Sequence, residues 1–249
     1  MYRKLRLELS NVNALKIYGN DELPKPSFNL DDFRKNIDSY RDRSGVLSAN
    51  KIMAKWFPIS EYDVFISHSH RDIEIVKNLY NFLREVGVRP FVDSMAWGWI
   101  GNLEKALSLE ANFDSATDQI YLHEMLSSAL EDMINQCEVF LFLDTTQSVD
   151  LADNSTSSAW IHRELHYTRY LKMKKPQRTM HEFAPTKTRS SSVSIGYAVA
   201  PELANLSMIN EKILYEWQER IQVYDFIYKE KFHPLDVLYQ IMKEYERWG

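Results

Sequence analysis

Three groups of residues in this chain carry chemistry worth placing: Ser67-His68-Ser69, Asp144-Thr145, and Trp160 with Glu164. Trp160 and Glu164 are four apart, so on a helix they share a face. If the turns bearing the other groups open at one edge of a sheet, a carboxylate, an aromatic platform and several hydroxyls converge on one crevice. Singly the pieces say less. A Trp and a Glu four apart are common by chance, and a histidine in a turn, such as His68 or His70, is more often a surface residue than a catalyst.

Other chemistries are poorly served. The seven histidines are scattered and lack the carboxylate or cysteine spacing of a metal centre, so no metal is expected. There is no GxGxxG and no Walker-type Gly-Lys-Ser run, and no GxSxG elbow. Cys137 is the only cysteine, so no internal disulfide can form; beside an apolar run it reads as a small core residue, not a thiol nucleophile. Thirty-five Asp and Glu against 30 Lys and Arg give a net charge of −5, which argues against nucleic acid as the main partner. Lys172, Lys174 and Lys175 read as a solvated helix end. No apolar stretch approaches the length of a membrane span. The basic first residues alternate with leucines instead of forming an apolar signal core. The expectation is a soluble cytoplasmic protein with no membrane partner.

The elements that must position these groups follow from periodicity. Val64, Phe65 and Ile66 form an apolar, β-branched and aromatic run suited to a strand buried on both faces. From Ile73 the apolar residues Val76, Leu79, Tyr80, Leu83 and Val86 fall at helix spacing, with Gly87 where a left-handed stop belongs. Ser67 to Asp72 is therefore a strand-to-helix turn at a strand's carboxyl end, the place where open α/β sheets bind ligands. Val88 to Asp93 reads as a second strand, and Pro90, which cannot donate to a ladder, puts it at a sheet edge. Val139 to Leu143, the most apolar run, is the central strand. Ser157 or Ser158 can cap the next helix, over 159–171.

The flanks are less regular. Leu5, Leu7 and Leu9 alternate with Arg6 and Glu8 as in a half-buried strand. Helices are expected over 30–40, with Asn29 as cap, and over 47–56. Residues 1–60 read as an N-terminal extension and 61–249 as the main domain. The segment 94–120 reads as a long irregular loop with a helical stretch over 102–110. Strands are expected over 180–184 and 193–199, and helices over 206–217 and from Pro234 onward. Strands and helices alternate from Tyr62, which implies an α/β fold: a flavodoxin-like open parallel sheet, order 2-1-3-4-5, with helices on both faces.

Taken in order, Asp63-Val64-Phe65-Ile66-Ser67-His68-Ser69 with Asp72, Phe91-Val92-Asp93, Phe140-Leu141-Phe142-Leu143, and Ser158-Ala159-Trp160 with Glu164 resemble the bacterial form of the Toll/interleukin-1 receptor (TIR) domain. The resemblance covers residues 62–171. Here the loop after the second strand, Trp97 to Gly101, departs from the family's pattern, and the segment to Ile120 is longer.

The resemblance implies an enzyme that cleaves NAD+ at the nicotinamide–ribose bond. Glu164 takes the catalytic position. Trp160, Phe65, Ser67, His68, Ser69, Asp93 and Trp97 are the implied substrate-binding residues. Breaking that bond leaves an oxocarbenium-like ribose, which a nearby carboxylate stabilises. NAD+ is substrate, and no further cofactor is implied. By analogy the product, ADP-ribose or a cyclic isomer, is an immune signal of an anti-phage system of the Thoeris kind, read by a separate effector protein, and the enzyme works through self-association. Alternatives are an NAD-depleting effector and a non-enzymatic TIR interaction module that docks other copies through the loop after Asp93.

Overall fold

Val64–Ser67 is the strand its composition predicts, β2, buried along its whole length. It is flanked in parallel by β3 (Pro90–Val92) and β4 (Val139–Asp144). The computed structural model describes residues 1–10, 15, 23, 30–56, 62–108, 115–150, 155–180, 202–227 and 232–248. Its five-stranded sheet is parallel throughout, in the order β3-β2-β4-β1-β5, with β1 at Arg3–Glu8 and β5 at Ser207–Asn210. The chain is thus the α/β protein expected, with β3 at an edge as Pro90 requires.

Alternation along the strands sorts side chains to two covered faces. Val64, Ile66, Val92, Leu141, Leu5 and Leu7 pack with α3 (Ile73–Glu85), α7 (Glu211–Ile227) and α8 (Pro234–Trp248). Phe65, Phe91, Phe140 and Phe142 point the other way. They pack with α1 (Leu30–Lys35), α2 (Ala49–Trp56), α4 (Asp93–Leu107), α5 (Ser115–Gln136) and α6 (Ala159–Tyr170). Gly87 ends α3 at φ +86°, in the left-handed region expected of it. A Cβ there would also stand 3.3 Å from Pro234.

Several expectations need correction. Residues 1–60 are not an extension outside the sheet: β1 lies between β4 and β5, pairing Arg3–Glu8 with Val139–Asp144 and Leu5–Glu8 with Ser207–Asn210. The anticipated order therefore holds for its first three places only, and the fourth is filled from the amino terminus. Nor is β1 half-buried, since its polar face is covered: Lys4 and Arg6 are only 9% and 8% exposed. The segment 94–120 is not an irregular loop, because α4 and α5 account for most of it. The helix expected over 206–217 starts later, after β5. The helix expected over 30–40 is α1 followed by a 3-10 turn, Ile37–Tyr40. Strands over 181–184 and 193–199, and Asn29 as a cap, lie outside the described residues, while Met180 is not in a strand.

Candidate functional site

The site is built where β2 and β4 run side by side and their following connections diverge, with Ser67 in register with Phe142. On β2, Phe65 and Ser67 share a face two residues apart. Phe65 lies lower, fully buried, 5.5 Å from the Phe91 ring and stacked 5.8 Å from Phe140. It belongs to the phenylalanine-rich core beneath the strand's end. Ser67 is the last residue of the strand and reaches the rim.

α6 crosses above that rim. Ser158 caps it, its Oγ accepting from the Ile161 amide at 3.3 Å, and Ile161 and Leu165 anchor it in the phenylalanine-rich core. Glu164 falls on the same inward face and is 3% exposed. Ser67 Oγ donates to its Oε2 at 2.5 Å, across 97 residues of sequence. Burial first, then the charge of Asp93, raises the Glu164 carboxyl well above the ordinary carboxylate range, against the opposing Ser67 bond. Oε1 is buried with no hydrogen-bond partner among the described residues.

His68 and Asp93 form the second pair. Their Nδ1 and Oδ1 atoms are 2.6 Å apart, and both side chains are almost wholly buried. The contact has the distance of an ion pair but not the alignment of a hydrogen bond, and Nε2 has no hydrogen-bond partner among the described residues. Burial opposes the charged imidazole, yet Asp93, with Asp72 and the Ile66 backbone, outweighs it and raises the histidine above its usual value. Asp93 Oδ1 also accepts from the Ser94 amide at 2.6 Å, which fixes the start of α4.

Asp72 forms the third contact, accepting from Thr145 Oγ1 at 2.6 Å. Burial raises its carboxyl above the usual range, although Thr145 and His68 both oppose that. Ser69 is half-buried and its hydroxyl is used locally, accepting from the Arg71 amide at 3.4 Å. Thus Ser67, His68, Asp72, Asp93, Thr145 and Glu164 sit together at the carboxyl ends of three adjacent strands.

Trp160 is partly buried against the core, with its ring 6.3 Å from that of His123 on α5. Trp97 lies on α4, and its side chain is outside the described residues.

Two residues of the arrangement were missed in the sequence. Arg6 on β1 donates through Nε to Asp144 Oδ2 at 2.5 Å and reaches Glu8 at 2.9 Å. Lys4 donates through Nζ to the Thr168 carbonyl and, at 3.3 Å, to that of Leu171, so a buried ammonium closes the last turn of α6. Burial lowers its pKa. Two cations alternating with Leu5 and Leu7 give no such signal by themselves, since that pattern normally faces water.

Among the described residues there is no group of three or more His, Cys, Asp or Glu that could hold a metal ion. No described helix is long and apolar enough to cross a membrane. Cys137 is buried, and burial raises its thiol far above the reactive range. No family model, curated protein or solved structure matches this chain.

Proposed function

We propose that the chain is a TIR-like enzyme that breaks the nicotinamide–ribose bond of NAD+, with Glu164 as the catalytic carboxylate. The observation that carries this reading is the 2.5 Å contact between Ser67 and Glu164: a buried carboxyl at the carboxyl end of a central strand, at the switch point of a parallel sheet. In the reaction the C1′–N bond breaks heterolytically and its electron pair neutralises the pyridinium. The resulting sugar cation is stabilised by the Glu164 carboxylate. Water then adds at C1′ and releases a proton to give ADP-ribose, or an internal nucleophile adds to give a cyclic isomer.

The electrostatics of the closed site suit a cationic substrate. Burial and Asp93 raise the Glu164 carboxyl above the ordinary carboxylate range, and an entering pyridinium favours the ionised form. At 3% exposure Glu164 is reached only after the site opens, so binding includes a conformational step. His68, Ser67 and Asp93 are the groups beside it that contact the substrate. The rest of the proposal is a cytoplasmic protein that associates with itself and makes an ADP-ribose-derived signal for a separate effector in anti-phage defence.

Purified protein incubated with NAD+ and chromatographed for nicotinamide tests this. Release that Glu164→Ala abolishes, rising faster than protein concentration, is the expected result. Wild type and Glu164→Ala behaving alike at high protein concentration rejects the enzyme. A second reading, a non-enzymatic interaction module, is favoured by the exposed apolar side chains Val223, Phe226 and Ile227 on one side of α7, Phe226 being 90% exposed. It expects no nicotinamide from either protein.

A further inference from the structure

We propose that His162 and His166 form a bidentate site for a borderline divalent transition-metal ion, Zn2+, Ni2+ or Cu2+, on the outer face of α6. The two residues are four apart on a regular helix, so their side chains rise from adjacent turns of one face. Both are exposed, and their rings are nearly parallel, at 12°, with centroids 5.9 Å apart. No hydrogen bond among the described residues holds either imidazole, so modest side-chain rotation lets one nitrogen of each converge. A tetrahedral ion with metal–nitrogen bonds of about 2.0–2.1 Å needs those nitrogens roughly 3.3 Å apart. Two histidines at this spacing on one helix face are a recurrent zinc-binding pair, and imidazole suits zinc, copper and nickel over magnesium or calcium.

The surroundings favour a cation. The His166 ring packs against Tyr170 at 5.1 Å, which confines it on one side. The two neighbouring arginines are already matched by carboxylates, Arg169 with Glu202 at 2.7 Å and Arg163 with Glu131 at 3.0 Å. With two protein nitrogens the ion keeps its remaining positions open for water, which makes the site exchangeable. Glu164 lies between the two histidines in sequence and on the opposite face of the helix. A bound ion therefore clamps the turn that carries it, and because only the folded helix presents the pair, binding stabilises the fold.

The test is calorimetric titration of the untagged full chain with NiCl2, ZnCl2, CuSO4 and MgCl2, each alone in a non-coordinating buffer. One transition-metal ion per chain is expected, copper binding more tightly than nickel and magnesium not at all. His162→Ala and His166→Ala each weaken binding by about tenfold or more, because each removes the tethered second ligand. The double variant abolishes it, and His70→Ala leaves it unchanged. The electron spin resonance spectrum of the copper form shows coupling to two nitrogens. The same stoichiometry and affinity in the double variant, or no saturable binding in the wild type, overturns the proposal. Circular dichroism of each variant confirms that these exposed substitutions leave the helix formed.

Discussion

Replacing Glu164 by Gln separates the cost of burying a carboxyl from the benefit of its hydrogen bond. The amide has the same shape and its oxygen still accepts from Ser67, so the 2.5 Å contact is preserved in kind. The new NH2 takes the place of a buried oxygen that already lacks a partner among the described residues, and costs about 1–3 kcal/mol at any pH. What changes with pH is the proton. The Glu164 carboxyl is raised in the folded chain, so folded protein binds a proton that unfolded protein has released. Stability then falls as pH rises from the unfolded value of about 4.3 through the raised one, by at most about 1.4 kcal/mol per pH unit. The variant has no such proton to lose. Urea unfolding at pH 5, 6, 7 and 8 is expected to show the wild type ahead at pH 5. Its lead should shrink by up to about 2.7 kcal/mol by pH 7 as long as the raised value is not passed. A difference that stays constant from pH 5 to 8 refutes the burial of an uncompensated carboxyl at this position.

Asp93→Asn leaves His68 buried without its counter-charge and is expected to cost of the order of 3–5 kcal/mol in urea unfolding. His68 is raised, so its share of that stability is complete below about pH 6.5 and fades as pH rises through the raised value; the gap to wild type should narrow on going alkaline. Arg6→Met strands the Asp144 carboxylate in the sheet and is expected to cost about 3–5 kcal/mol, much of it recovered by adding Asp144→Leu; a loss under about 1 kcal/mol counts against a buried pair there. Ser158→Ala removes the cap of α6 and should lower stability by about 1 kcal/mol, read by the same denaturation.

The parts of the fold that were legible in the sequence are those where one local rule decides. Val64 to Ile66 and Val139 to Leu143 are continuous apolar runs because both faces of a central strand are covered. Gly87 and Pro90 announce a helix stop and a sheet edge because backbone sterics leave few alternatives. The position of β1 was not legible. Cations alternating with leucines normally face water, and what reverses that here is partners 138 and 164 residues away, Asp144 and the end of α6. Leu206, Ile209, Ile213 and Trp217 imitate a helix period across a strand-to-helix junction. Gly98 and Gly101 read as loop although both lie inside α4. In the site, the four-residue spacing of Trp160 and Glu164 gives a common face, but not that one side chain turns toward α5 and the other toward β2.

The amino-terminal strand is what ties that site together. β1 hydrogen-bonds to both β4 and β5, so it is a central strand whose loss breaks the sheet in two. Its inward cations then act on the two elements that meet over Ser67. Arg6 holds the end of β4 through Asp144, and Lys4 holds the last turn of α6 through two carbonyls. With Ser158 at one end and Lys4 at the other, α6 is fixed at both termini, and the position of Glu164 in between follows from those two anchors. A buried lysine whose pKa is lowered by desolvation is an expensive way to close a helix, since water could serve the same carbonyls on a surface. The cost is intelligible if the helix must not shift: the Ser67–Glu164 contact spans two elements with no sequence continuity, and a displacement of one ångström is enough to lose it.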